Sequence, residues 1–334
     1  MEIVNSLPEE KWRKFVDEHP AGNIFHTPEM FNVYEKAKYH QSELWAAVKD
    51  GKPIALLLPV TISLWGGILK YFTSRAIVFG SVLYDSGDDC TQALIQLLDA
   101  YKKEMGWKVL FTELRNLSDL IEIQPILISC NFVYEQHLNY LIDLDRDPKD
   151  IFAAIGDRTR KNIRHGLNKG QINIEEVTDR NKIGVCYNLI KQTYSNARVP
   201  LADSTLFEAA FDLLYPKGMV KFFLASVGEI PVATSVELFF KDVIYGWYSG
   251  LNREYRSYVP NELLMWHILQ LGSRLGYRTY DFGGAGKPNE KYGVREFKAK
   301  FGGRLVCFGR NVWVKFPLLF ELSKINYSLY RKLH

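Results

Sequence analysis

The sequence predicts a mixed α/β fold built twice over. Three observations carry this reading. A strand–turn–strand–helix–strand order occurs in two places, both copies contain a helix ended by glycine and an aromatic residue, and 334 residues is long for one hydrophobic core. In the first copy Trp45-Ala-Ala-Val-Lys-Asp-Gly-Lys-Pro-Ile-Ala reads as a strand, a glycine turn and a second strand opening with proline. Phe223-Leu-Ala-Ser-Val-Gly-Glu-Ile-Pro-Val-Ala is its counterpart. Further strand-like sequence follows in residues 56–83 and 234–248. The helices come next, with Leu94, Leu97, Leu98 and Tyr101 in one, and Leu263, Leu264, His267, Ile268 and Leu271 in the other, all at helical spacing. Gly106-Trp107 and Gly276-Tyr277 supply a glycine where a helix commonly ends. Residues 108–113 and 279–282 close each copy with a strand.

Residues 54–69 carry no charge, yet they fall short of the ~20 residues a helix needs to cross a bilayer. Pro59, Thr61 and Ser63 interrupt them, and Gly66-Gly67 reads as a hairpin turn, so two buried strands are expected. The start, Met1-Glu2-Ile3-Val4-Asn5, has neither a basic nor an apolar leader region. Cys90, Cys130, Cys186 and Cys307 lie far apart without metal-ligand spacing, so no metal site or disulfide framework is expected. A cytoplasmic compartment fits. The net charge of +4 favours anionic partners only weakly, and no DNA partner is expected. Between the copies Asp147-Pro148-Lys149-Asp150 can open a helix, with an amphipathic stretch over 151–169 and Gly166 or Gly170 to end it. The expected domains are therefore 1–146 and 147–315, followed by an amphipathic helix over 316–334. In that helix Leu318, Leu322, Ile325 and Leu329 form a stripe flanked by Lys324, Arg331 and Lys332. It either packs on the protein's own core or rests on an anionic membrane surface.

Several residues can carry chemistry. The stretch 151–169 holds Arg158, Arg160, Lys161, Arg164, His165 and Lys169, read either as a solvated basic face or as a clamp for phosphate oxygens. Tyr245-Gly-Trp-Tyr248-Ser-Gly-Leu-Asn252 leaves a strand, and Pro260-Asn261 opens a helix whose free N–H groups suit an anion. Tyr280-Asp281-Phe282-Gly283-Gly284 ends a strand in an acid and two glycines, which let backbone approach a ligand. Arg295-Glu-Phe297-Lys298-Ala-Lys-Phe-Gly-Gly follows; residues 295–301 read as a strand that points Lys298 away from Phe297. The kinase, P-loop, nucleophile-elbow and zinc-protease patterns are absent from the sequence.

These motifs together resemble the FemAB-like transferases, two tandem GNAT-fold domains whose members join amino acids or acyl groups to amines of cell-envelope precursors. The resemblance spans nearly the whole chain and is most specific from Arg158 to Arg310. It implies two GNAT-like N-acyltransferase domains with a ligand cleft between them. It further implies acyl or aminoacyl transfer to an amine of a peptidoglycan or polysaccharide precursor, with no tightly bound cofactor. The activated donor is an aminoacyl-tRNA or an acyl thioester. It places Lys298 beside the reacting carbonyl, where an ammonium suits developing negative charge, and Asp281 where it orients the amine or takes its proton. Arg158, Arg160, Arg164, Tyr248, Asn261 and Phe297 become residues that bind an anionic envelope precursor or sugar-linked amine, with peripheral membrane contact as an addition. The usual GNAT pyrophosphate loop, Arg/Gln-x-x-Gly-x-Gly/Ala, is not apparent, and residues 171–222 are too few for the long helical arm of the tRNA-dependent members. A non-catalytic binder of glycan or nucleotide-sugar on the same fold is the alternative. A nucleic-acid binder using the basic helix is a third reading.

Overall fold

The computed structural model describes residues 1–63 and 74–323. The chain divides into two compact units, Met1–Gln136 with the chain from Phe308, and His137–Cys307.

In the first unit β1 (Glu2–Val4), β3 (Trp45–Lys49), β4 (Lys52–Leu57) and β7 (Leu83–Tyr84) form one sheet, in that order. A second sheet runs β2 (His40–Ser42), β5 (Val60–Ile62), β6 (Arg75–Phe79), β8 (Phe111–Arg115), β17 (Arg310–Val314), β9 (Val133–Glu135). Leu58-Pro59 separates β4 from β5, as proline lacks the N–H that a ladder needs. The helix Asp88–Met105 lays Leu94, Leu97, Leu98 and Tyr101, all fully buried, on a core that includes Trp45, Ala76 and Val78.

The second unit is one seven-stranded sheet. Its strands are β10 (Leu138–Asp143), β11 (Ile172–Glu176), β12 (Val220–Val227), β13 (Ile230–Phe240), β14 (Val243–Leu251), β15 (Thr279–Gly284) and β16 (Arg304–Cys307). They lie in the order β11-β12-β13-β14-β15-β10-β16. Every neighbouring pair is antiparallel except β14–β15. The helix Pro260–Arg274 buries Leu263, Leu264, Ile268 and Leu269 against Phe223, Ile244, Tyr280 and Phe282 of the sheet.

The chain passes from the first unit to the second and back again. β10 follows β9 in the chain but lies between β15 and β16, and β17 follows β16 but lies between β8 and β9. The division therefore falls at Gln136, ahead of the boundary expected at Asp147, and the chain from Phe308 returns to the first unit. Other expectations are corrected locally. The stretch 151–169 is two helices, Pro148–Ala154 and Asp157–Lys169, because Ile155 is extended and buried and the Gly156 amide donates to the Lys300 carbonyl, 2.9 Å. Asp147 caps the first and Gly170, at φ +60°, ends the second. Residues 295–301 are not a strand: Lys298 lies on the helix Gly293–Ala299. Gly276 has the positive φ of a helix end, but Gly106 is right-handed at φ −62°. Gly106 is needed for room instead, since a Cβ there would sit 2.8 Å from the Lys102 carbonyl oxygen. The hairpin expected at Gly66-Gly67 lies outside the described residues, as do Lys324, Ile325, Leu329, Arg331 and Lys332.

Candidate functional site

β14 and β15 run side by side for only three pairs, Val243↔Thr279, Ile244↔Tyr280 and Tyr245↔Asp281, although β14 continues to Leu251. β14 instead stays with β13, through a bulge between Val236 and Glu237. The parallel pair thus forks after Asp281, a place where backbone on both strands leaves the ladder.

Local chemistry makes β15 turn away. The Gly283 amide donates to Asp281 Oδ1 at 2.7 Å, an aspartate turn of the kind that favours a following positive φ, and Gly283 has φ +69°. The Lys298 ammonium donates to the carbonyls of Phe282 (2.5 Å), Gly283 (3.2 Å) and Gly284 (2.7 Å). Three residues earlier on the same helix face, Arg295 donates to the carbonyls of Ala285 (2.8 Å), Pro288 (3.0 Å) and Lys287. Two cations on one short helix therefore pin the loop leaving β15. Lys298 has three protons and the structure gives each a carbonyl.

Asp281 is 3% exposed and also accepts from Asn139 Nδ2 at 3.4 Å. Burial pushes its carboxyl up to about 6, against the pull of the Gly283 amide, the Lys298 charge and Asn139. Burial pushes the Lys298 ammonium down to about 8, with Asp281 pulling the other way. Both groups change protonation within two units of neutrality, as acid–base chemistry needs.

Around the fork lie aromatic rings. Tyr248 stands 4.7 Å from Phe207 and 5.8 Å from Tyr194, between ring centroids, and Trp247 joins them. Burial raises the phenols of Tyr194 and Tyr245, which stay neutral. Asn261 is half-buried in the first turn of Pro260–Arg274, whose N-cap Val259 has φ +52°, a strained value for a β-branched residue. Arg158 and Arg164 lie exposed on Asp157–Lys169, Arg164 with its guanidinium 5.2 Å from the Phe152 ring centre. Arg160 is committed to Asp157 and the Ala153 carbonyl. Phe297 packs in the core, its ring 5.3 Å from Phe301.

Of the residues singled out in the sequence, Asp281 and Lys298 come together at one turn. Sequence reasoning passed over Asn139, Tyr194, Arg295 and Glu237. Glu237 had a signal, as the one acid in the apolar run Val232-Ala-Thr-Ser-Val-Glu-Leu-Phe-Phe240.

The family description "Acetyltransferase (GNAT) domain" matches residues 157–298, a span that contains both Asp281 and Lys298. No curated protein matches the chain. Among solved structures the chain is similar to FemX, at a TM-score of 0.73 and 16% identity over 96% of this chain and 99% of that one. L-PGS from Bacillus licheniformis aligns at 0.59 and 14% over 97% and 98%. A tandem GNAT protein from the clavulanic acid biosynthesis pathway, described without AcCoA, aligns at 0.58 and 11% over 94% and 98%. The matched model places a GNAT domain at residues 157–298, and the solved structures share the fold of this chain. In fold the chain is similar to FemX and to a tandem GNAT protein, which supports two GNAT-like units.

Proposed function

We propose that the second unit transfers an acyl or aminoacyl group from an activated ester or thioester to an amine of a peptidoglycan or polysaccharide precursor. The observation that carries it is Asp281, a buried carboxyl at the fork of β14 and β15 with its midpoint near 6. At neutral pH it is largely ionised, so it takes the proton that the acceptor's ammonium sheds before attack. The nitrogen lone pair then bonds to the acyl carbon, the carbon–oxygen or carbon–sulfur bond of the donor breaks, and the proton lost by the new amide nitrogen goes to the departing alcohol or thiol. Lys298 contributes positive field near the developing oxyanion. Direct donation to it requires exchange of one carbonyl bond, because all three protons are held by backbone.

Arg158 and Arg164, exposed and in no ion pair among the described residues, suit the anionic part of an acceptor, while Arg160 shapes its own helix. Tyr248 and Asn261 take lining roles, while Phe297, packed on Phe301, supports the helix that carries Lys298. The resemblance to FemAB-like transferases supports an envelope acceptor. The donor is an acyl thioester or an aminoacyl-tRNA, of which the GNAT domain favours the thioester. A cytoplasmic location with residues 316–334 touching the inner membrane face completes the reading; among the described residues no helix is long and apolar enough to span a bilayer.

The full commitment of Lys298 to carbonyls favours a second reading, a non-catalytic binder of glycan or nucleotide-sugar. Turnover decides. The purified chain is given S-acetylpantetheine or aminoacyl-tRNA with amino-sugar and nucleotide-linked muropeptide acceptors, and amide product is read by mass. Product that disappears in Lys298→Ala with ligand affinity kept supports the enzyme. Ligand binding without turnover of any donor supports the binder.

A further inference from the structure

Glu237 on β13 is fully buried, and its recorded partners are two hydroxyls rather than a cation. One carboxyl oxygen accepts from Ser235 and the other from the Tyr280 hydroxyl at 3.1 Å. Tyr280 belongs to β15, two strands away, so this bond crosses β14. It crosses at Gly246, the residue opposite Glu237 in the β13–β14 ladder and the first of β14 beyond the last parallel pair, Tyr245↔Asp281. Only glycine leaves room there. A Cβ on Gly246 would stand 2.7 Å from the Tyr280 hydroxyl oxygen and 3.6 Å from the Asp281 carbonyl oxygen. The bulge that lets β14 stay with β13 while leaving β15 also begins at Glu237.

A buried carboxyl without a cation costs stability, and an apolar residue of similar shape would ordinarily be neutral or better. What the carboxyl does here is hold a tyrosine whose next neighbour in the chain is Asp281. Side-chain misplacement of about 1 Å at a reacting centre can cost on the order of 100-fold in rate. We propose that Glu237 is a positioning residue of the acyl-transfer site: through the Tyr280 hydroxyl it fixes where β14 and β15 part, and so where Asp281 stands. This rests on the acyl-transfer reading above. Glu237 touches neither donor nor acceptor.

The test joins amide hydrogen exchange with kinetics on the full chain, using S-acetylpantetheine as donor and an amino sugar as acceptor. Tyr280→Phe keeps the ring in the core and removes only the hydroxyl. It is expected to speed exchange over residues 246–249 and 281–284 by roughly 10-fold and to lower kcat by a similar factor. Exchange in Pro260–Arg274 and the acceptor KM stay at wild-type values. Glu237→Leu behaves as Tyr280→Phe does, while Glu237→Gln, which still accepts from the phenol, restores most of both. Gly246→Ala lowers kcat more than either, and Gly246→Ala with Tyr280→Phe recovers part of that loss because the colliding oxygen is gone. Tyr280→Phe and Glu237→Leu within twofold of wild type in both exchange and kcat overturn the proposal. So does faster exchange throughout the unit, which marks a stability role alone. A wild type that turns over no donor, with the exchange pattern as expected, removes the acyl-transfer reading instead and leaves only the bridge.

Discussion

Among the described residues each unit holds one parallel strand pair, and each puts a carboxyl third along the second strand of that pair. In the first unit this is Glu113 of β8, opposite Ile77; in the second it is Asp281 of β15, opposite Tyr245. Their surroundings differ. Burial works against ionisation of Glu113, yet Arg115 at 2.6 Å and Arg310 at 3.0 Å outweigh it and hold its carboxyl down at about 2. Asp281 meets a backbone amide, an asparagine and the field of a lysine engaged elsewhere, and burial prevails. Equivalent backbone positions thus yield a permanent anion that braces two guanidinium groups and a carboxyl that exchanges protons near neutrality. On the acyl-transfer reading proposed above, the second unit is the one suited to chemistry, because its cation is occupied by carbonyls rather than by the acid.

The largest expected effect would break that contrast outright. Asp281→Asn should lower kcat by about 100-fold or more, and wild-type kcat/KM should rise with pH through about 6, as deprotonated Asp281 is the reactive form. Glu113→Gln should leave kcat per folded molecule unchanged; a matching loss there would erase the distinction. Its cost falls on folding. Two guanidinium groups losing their carboxylate should destabilise by about 3–5 kcal/mol in urea unfolding at pH 7. Because the folded-state value is depressed, that contribution is present above the ordinary carboxylate range and is lost as pH falls through about 2.

Glu237 extends the comparison to a carboxyl with only hydroxyl partners. Burial pushes it up to about 7, so its contribution to stability is full below the ordinary value of 4.5 and is lost as pH rises through about 7. Glu237→Gln should therefore raise the melting temperature at pH 8 and leave it nearly unchanged at pH 4. A shift of that size corresponds to about 3 kcal/mol at most. Equal melting changes at both pH values would show that Glu237 does not ionise in the folded protein.

The smallest effect concerns the surface of the first unit. Leu318 and Leu322 are 83% and 57% exposed, so in the described part of the terminal helix the leucine stripe does not pack on the core. Phe316 and Phe320 do so instead, against Trp107 and Phe111. Anionic vesicles should pellet the full chain modestly more than a version ending at Val314, each basic residue adding ~1 kcal/mol at best. Equal pelleting would leave these leucines without a membrane role.

Much of this was legible in the sequence. Helical spacing and paired turns revealed the doubled α/β order, because those signals act over a few residues. Asp281 was marked by the glycines that follow it. Lys298 was misplaced onto a strand, since Gly293-Val-Arg-Glu-Phe-Lys-Ala299 is short and its helical character comes from Arg295 and Lys298 gripping carbonyls that lie earlier in the chain. The role of Glu237 depends on a phenol 43 residues away. The crossings between units were the least legible: nothing local to Leu138–Asp143 or Arg310–Val314 says which sheet a strand will enter.

The return of the chain to the first unit has a consequence for how the protein is made. β17 sits between β8 and β9, so the sheet that begins with the first hundred residues cannot close until residues 310–314 have left the ribosome. Until then β8 and β9 present open edges, the kind of surface that recruits wrong partners. A chain that stops before residue 310 leaves both edges unpaired with β17. β10 runs the opposite way in time: it is synthesised early and waits for β15 and β16 to flank it. Closure of the first sheet consequently waits on β17, which serves as its bolt.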